Sequence, residues 1–260
     1  MALFLASVRD EREAKIALAG GAGILDLKDP AAGALGAVDA NVSRRIMSAA
    51  GGAVPISVTI GDVPLQPELL EAPLERAAAL RPDFIKIGLF GGDIADCLPV
   101  FSAHAAGGPH LIAVFFADKC GGTAEGRETL YNMMGALAEA GFHGVMADTA
   151  VKSSGSLLFH WTVDFCSFFV RQARSMGLAC GLAGSLRAED IAALLPAEPD
   201  ILGFRGALCA GQRNCGIDPS CVQQIRNLIP RNPATDVRVG GILGRRNHLL
   251  REEIASDSRS

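Results

Sequence analysis

The sequence predicts an α/β protein: a single (β/α)8 TIM barrel of residues 1–230 followed by a short polar C-terminal extension, residues 231–260. Three observations predict it. Eight strand-like runs alternate with helical patterns, which implies parallel strands joined by helices. Charged residues, chiefly lysine and aspartate, sit at the ends of several of these runs. The 260-residue chain, 49% hydrophobic with 30 glycines, has apolar content for a large core and small residues for many tight turns.

The first strand is read at residues 3–8, and the next helix at 10–19 is stopped by Gly20-Gly21. Glu11 and Glu13 suit that helix's first turn. The second strand, 23–27, leads into a helix at 39–50 with Asp39 or Asn41 as its cap. The alternating run Ile56-Ser57-Val58-Thr59-Ile60 is the third strand. The helix after it, 67–80, tolerates Pro67 in its first turn. Strands at 83–87, 110–116, 144–147, 178–183 and 200–204 follow. They alternate with helices at 92–105, 126–141, 157–176, 186–195 and 219–228. An open doubly wound sheet is the alternative, but eight such even units suit it poorly.

Composition narrows the function. A net charge of −4 argues against a nucleic-acid partner. No apolar run reaches the length of a membrane span, and the start reads as a strand rather than a signal peptide. Seven cysteines without a CxxC pair fit reduced thiols and a cytoplasmic location, with no metal site expected. The five histidines form no ligand motif.

Lysine is scarce: Lys15, Lys28, Lys86, Lys119 and Lys152 stand against 19 arginines. GC-rich coding explains the scarcity but not the placement. Four of the five fall at or just beyond a strand's C-terminal end, where barrel enzymes place their chemistry. Side chains alternate along a strand. Leu25 and Leu27 therefore share one face, with Asp26 and Lys28 on the other, and Pro30 stops the ladder. By the same parity Lys86, between Ile85 and Ile87, points into the barrel, as does Asp148 after Val145 and Ala147. Asp26, Lys28, Lys86 and Asp148 are expected to converge on one mouth, with Lys152 nearby and Lys119 nearby as a contact for the substrate or its phosphate. Burial and mutual repulsion lower lysine pKa values, which suits an imine-forming or basic lysine. Arginine offers neither role.

The last two strand ends look like a phosphate site. Gly184 and Ser185 precede an expected helix N-terminus, and Arg205 with Gly206 offers a fork and an open backbone. Ser7 and Arg9, on one face of the first strand, are candidates for a second anion.

These residues carry a resemblance. DLKDP at 26–30, FIKIGL at 84–89, ADTAVKSSGSL at 147–157, GLAGSL at 181–186 and GFRGALC at 203–209 closely resemble the (5-formylfuran-3-yl)methyl phosphate synthases. The likeness covers roughly the first 230 residues and leaves out the extension. It implies a barrel enzyme that condenses two glyceraldehyde 3-phosphates, with loss of phosphate and water, for methanofuran-type one-carbon cofactors. By motif match it makes Lys28 the Schiff-base lysine and Lys86 the proton acceptor. Asp26, Asp148 and Lys152 become supporting active-site residues, and no cofactor is implied. Local chemistry agrees with Lys28 as the imine former: Asp26, two residues back on the same face, would shuttle its protons. The residues alone also allow a simpler imine aldolase or isomerase of triose phosphates, or a non-catalytic phosphosugar-binding barrel. A homo-oligomer is allowed, and the oligomeric state is left open.

Overall fold

The computed structural model describes residues 2–230, so the expected polar extension lies outside the described residues. Eight parallel strands form a closed barrel: β1 (Leu3–Val8), β2 (Ile24–Leu27), β3 (Ile56–Thr59), β4 (Phe84–Gly88), β5 (His110–Phe116), β6 (Gly144–Asp148), β7 (Ala179–Leu182) and β8 (Ile201–Phe204). Each pairs with its sequence neighbours. β1 closes the ring against β8, with Leu5 opposite Gly203. Around the barrel run α1 (Glu11–Ala19), α2 (Ala40–Ala50), α3 (Pro67–Ala78), α4 (Ile94–Ala105), α5 (Ala124–Glu139), α6 (Val163–Ser175), α7 (Asp190–Leu194) and α8 (Pro219–Leu228).

Local chemistry starts these helices. The side chains of Asp10, Asp39, Asp93, Thr123, Thr162 and Asp218 each accept a hydrogen bond from a first-turn N–H. The alternation of the strands then divides the core in two. Outward residues such as Phe4, Leu25, Val58, Ile85, Phe115 and Val145 meet the helices. Inward residues such as Leu5, Ile24, Phe84, Ile112, Val114 and Met146 fill the barrel below the charged mouth.

The structure departs from the expected elements in three places. The helix expected over 157–176 is broken: a single turn, Leu157–His160, ends at Trp161, which is extended. The Trp161 indole donates to the Cys120 carbonyl at 2.8 Å, and Thr162 caps α6 anew. The helix expected from Leu186 shrinks to the five residues of α7, followed by a 3-10 turn at Leu195–Ala197. Two short segments, Pro64–Leu65 and Phe90–Gly92, pair as a small parallel sheet that the alternation did not predict. Phe90 packs there against Phe116, with ring centroids 4.3 Å apart.

Candidate active site

Seen from the strand ends, β2, β4 and β6 each deliver inward-facing charge to one mouth. A cavity of roughly 440 Å³ opens there, within the range of about 300–1,000 Å³ usual for small-molecule sites. Ser7, Asp26, Lys28, Lys86, Asp148 and Lys152 all line it. Asp26, Lys28, Lys86 and Asp148 are each at most 5% exposed. These charges are taken out of water, and each needs a partner close by.

The pairing differs from the one expected along β2. Lys86 Nζ lies 2.6 Å from Asp26 Oδ1, an ion pair whose angles fall short of a hydrogen bond. Ser7 donates to the other oxygen, Asp26 Oδ2, at 2.8 Å. Lys28 instead reaches across the barrel to Asp148 Oδ2 at 3.4 Å. Lys152 donates to Asp148 Oδ1 at 2.5 Å, and the Thr149 N–H donates to the same oxygen at 2.8 Å. The acid beside Lys28 is therefore Asp148, and Asp26 serves Lys86. The expected proton shuttle from Asp26 to Lys28 is corrected accordingly.

The electrostatics follow from burial and these neighbours. Burial pushes the Lys86 pKa below its ordinary value; Lys28 adds to this, while Asp26 and Asp148 oppose it. Burial likewise brings Lys152 down to about 8 against the opposing pull of Asp148. Burial disfavours a charged Asp148, but Lys152, Lys28 and the Thr149 N–H outweigh it and hold the carboxyl well below the usual range. The mouth thus carries a firmly ionised carboxylate between two lysines, and a third lysine, Lys86, whose pKa burial lowers.

The expected anion residues divide. Gly184, Ser185 and Gly206 line the cavity. Gly184 has φ +101° and packs so tightly on Thr149 that a Cβ would lie 3.1 Å from its backbone nitrogen. The helix N-terminus expected behind Ser185 is absent, because α7 begins only at Asp190. Arg205 lines the cavity, but its guanidinium is already spent. It forks onto Glu13 at 2.5 and 3.1 Å and donates to the carbonyls of Ser7, Arg213 and Cys215. All five of its N–H groups have protein acceptors, so the expected bidentate contact with a substrate phosphate is corrected. Arg9 points away from the cavity to Asp10, Glu13 and the Asn214 carbonyl. Lys119 falls in a tight turn, its N–H bonded to the Phe116 carbonyl, and does not line the cavity.

Three residues that shape the site escaped the sequence reading. Glu13 looked like a first-turn helix acid, yet it is buried against Arg205. Asp118 accepts the N–H groups of Ala150 and Val151 at 2.7 and 2.8 Å, fixing the loop that carries Lys152. Arg213 lines the cavity from the segment after β8. Strand parity could not find them, since none lies in a strand.

The 4-HFC-P synthase family model matches residues 4–226. A (5-formylfuran-3-yl)methyl phosphate synthase of Methanococcus maripaludis (strain C7) is 33% identical over 238 residues, covering 86% of this chain and 97% of the relative. A chain of Methylorubrum extorquens, provisionally given the same name, is 37% identical over 233 residues, 89% of this chain and 93% of the relative. Among solved structures, phosphoribosyl anthranilate isomerase from Thermus thermophilus superposes with a TM-score of 0.61 at 16% identity. It covers 88% of this chain and 98% of its own, a likeness of fold alone.

Proposed function

Because this chain belongs to the 4-HFC-P synthase family, the enzymes of the furan-forming step of methanofuran biosynthesis, we propose that it acts as a Schiff-base lyase. In this reading it condenses two molecules of glyceraldehyde 3-phosphate to (5-formylfuran-3-yl)methyl phosphate, with loss of phosphate and water. The single observation that supports the chemistry is the pair of buried Lys–Asp contacts on one cavity floor, Lys28–Asp148 and Lys86–Asp26. A lone buried lysine could bind an anion. Two lysines with different acids can divide nucleophile from base.

Lys28 attacks the carbonyl of one triose and forms an imine, an electron sink for the neighbouring carbon. Lys152, brought down to about 8 by burial, gives and recovers the protons during formation and loss of the carbinolamine, while the ionised Asp148, in contact with both Lys28 and Lys152, holds the two side chains together. Lys86, whose neutral form burial favours, removes the α-proton to give an enamine. Asp26 and its Ser7 hydrogen bond hold Lys86 in position. The enamine expels its phosphate, and the carbon freed by that loss condenses with the second triose. A hydroxyl oxygen closes the ring with loss of water, and hydrolysis of the imine frees Lys28, so that one phosphate and two waters leave overall as the furan becomes aromatic. Gly184, Ser185 and Gly206 form the wall nearest the substrate phosphates.

Glyceraldehyde 3-phosphate incubated with the enzyme should give a furan-aldehyde ultraviolet band together with inorganic phosphate. A simple aldolase or isomerase would release no phosphate. Borohydride should trap one adduct on Lys28. Lys28→Arg should lose trapping and turnover together, whereas Lys86→Arg should still be trapped but turn over poorly. An adduct on Lys86, or normal turnover by Lys28→Arg, would overturn these roles.

A further inference from the structure

Six cationic side chains line the cavity, and five of them have a carboxylate in contact: Lys28 and Lys152 share Asp148, Lys86 has Asp26, Arg187 has Glu189 and Arg205 has Glu13. Arg213 is the exception. Among the described residues no carboxylate lies within ion-pair distance of it, and its guanidinium donates no hydrogen bond to the protein. It is nonetheless partly withdrawn from water, and the acids nearest it electrostatically are Asp148 and Asp62.

The backbone around Arg213 is built to keep it there. Its carbonyl accepts from Arg205 Nε at 3.0 Å, and the Cys215 carbonyl accepts from Arg205 Nη2 at 3.0 Å. The Cys209 thiol adds a contact to the Cys215 carbonyl at 3.2 Å, and Cys209 bridges to Ile217 in antiparallel fashion. A short loop is thereby stitched down by a buried, fully satisfied Arg205–Glu13 pair. At Gly206 a side chain would bring its Cβ to 3.8 Å from Arg213 Cβ, so Arg213 stands directly beside the glycine at the cavity wall. An arginine whose backbone is fixed beside a glycine at the cavity wall, with its fork unspent, suits a planar or tetrahedral anion.

We propose that Arg213 is a phosphate-binding residue of the substrate cavity, seating the phosphoryl group of a phosphorylated triose against Gly206, and that Arg205 acts as its positioning residue. The proposal rests on the triose-phosphate reading of the site. It transfers the anion contact from the arginine in the barrel strand's GFRG motif to the one in the following loop.

Calorimetric titration with inorganic phosphate alone, and steady-state kinetics with glyceraldehyde 3-phosphate, test it on the full-length protein. Loss of a charge-assisted contact predicts that Arg213→Ala weakens phosphate binding and raises KM by about 10- to 100-fold. kcat should change less than KM, and the melting temperature should stay the same, because the guanidinium has no ion-pair or hydrogen-bond partner among the described residues. Arg213→Lys keeps the charge without the fork and should fall between. Arg213→Gln replaces the alanine variant if that one does not fold. Unchanged phosphate affinity and KM in these variants, a loss confined to kcat, or a wild type that binds no phosphate would overturn the assignment. If the wild type binds phosphate through Arg213 yet does not turn over glyceraldehyde 3-phosphate, the proposed reaction fails while this inference stands.

Discussion

Asp148→Asn removes one negative charge and leaves nearly everything else in place, so it isolates the electrostatics of the mouth. Asparagine has the same shape and can still accept the Thr149 N–H at Oδ1. What disappears is the attraction to two lysines. At an effective dielectric of about 20, a contact of 3.4 Å to Lys28 corresponds to about 5 kcal/mol. At 2.5 Å, the contact to Lys152 corresponds to about 7 kcal/mol. The variant no longer has to bury a carboxylate, which returns much of that sum, and breaking a buried pair typically leaves a net loss of about 3–5 kcal/mol. The loss should depend on pH. Asp148 raises the Lys152 pKa against burial, so without it Lys152 should titrate below its present value of about 8. The unfolded chain keeps lysine near about 10.4. Between the variant's lowered pKa and 8, the unfolded variant binds more protons than the folded one, so the variant gains stability as pH rises. The wild type gains little over that window. Urea unfolding of both proteins at pH 6 and pH 8.5 should therefore show a destabilisation of about 3–5 kcal/mol at the lower pH. The gap should narrow by about 1.4 kcal/mol for each unit by which the Lys152 pKa falls. A gap that is constant, that widens with pH, or that stays under about 1 kcal/mol at pH 6 would refute the reasoning.

Four further outcomes are expected. Lys152, at about pKa 8, should give kcat/KM a descending limb near pH 8, since the lysine loses its charge as pH rises; Lys152→Arg stays protonated and should move that limb upward, and a limb left in place would exclude Lys152 as its origin. Arg205→Ala leaves the buried Glu13 carboxylate without its cation, so unfolding free energy should drop by about 3–5 kcal/mol, with Glu13→Gln also destabilising; a KM effect without loss of stability would return Arg205 to direct phosphate contact. Arg213→Ala should act chiefly on KM, as set out above. Truncation after Arg231 should leave an active enzyme, checked by the same phosphate-release assay, because the family match ends at residue 226; loss of activity by a folded truncated chain would show that the extension serves the site.

The sequence by itself determined which residues could meet. Alternation has a period of two and is local, so Asp26, Lys28, Lys86 and Asp148 were legible as inward-facing from their apolar neighbours alone, and their position at C-terminal strand ends placed them in one mouth. Tertiary structure decided which of them touch. Asp26 and Lys28 are separated by about 6.6 Å of rise along their own strand, whereas the barrel register aligns Asp26 with Ser57 and Thr59 with Lys86. The shortest path from Asp26 to a lysine therefore runs across strands, and that of Lys28 runs across the lumen to Asp148. No local pattern encodes such a stagger, because it is set by closure of all eight strands. The two arginines show the same limit. Arg205 advertised itself in a glycine-rich strand end, but a helix acid ten residues after the first strand began, Glu13, claimed its fork. Arg213 lay in a loop with no periodicity to read, and only the packing of that loop against Gly206 brought it to the cavity.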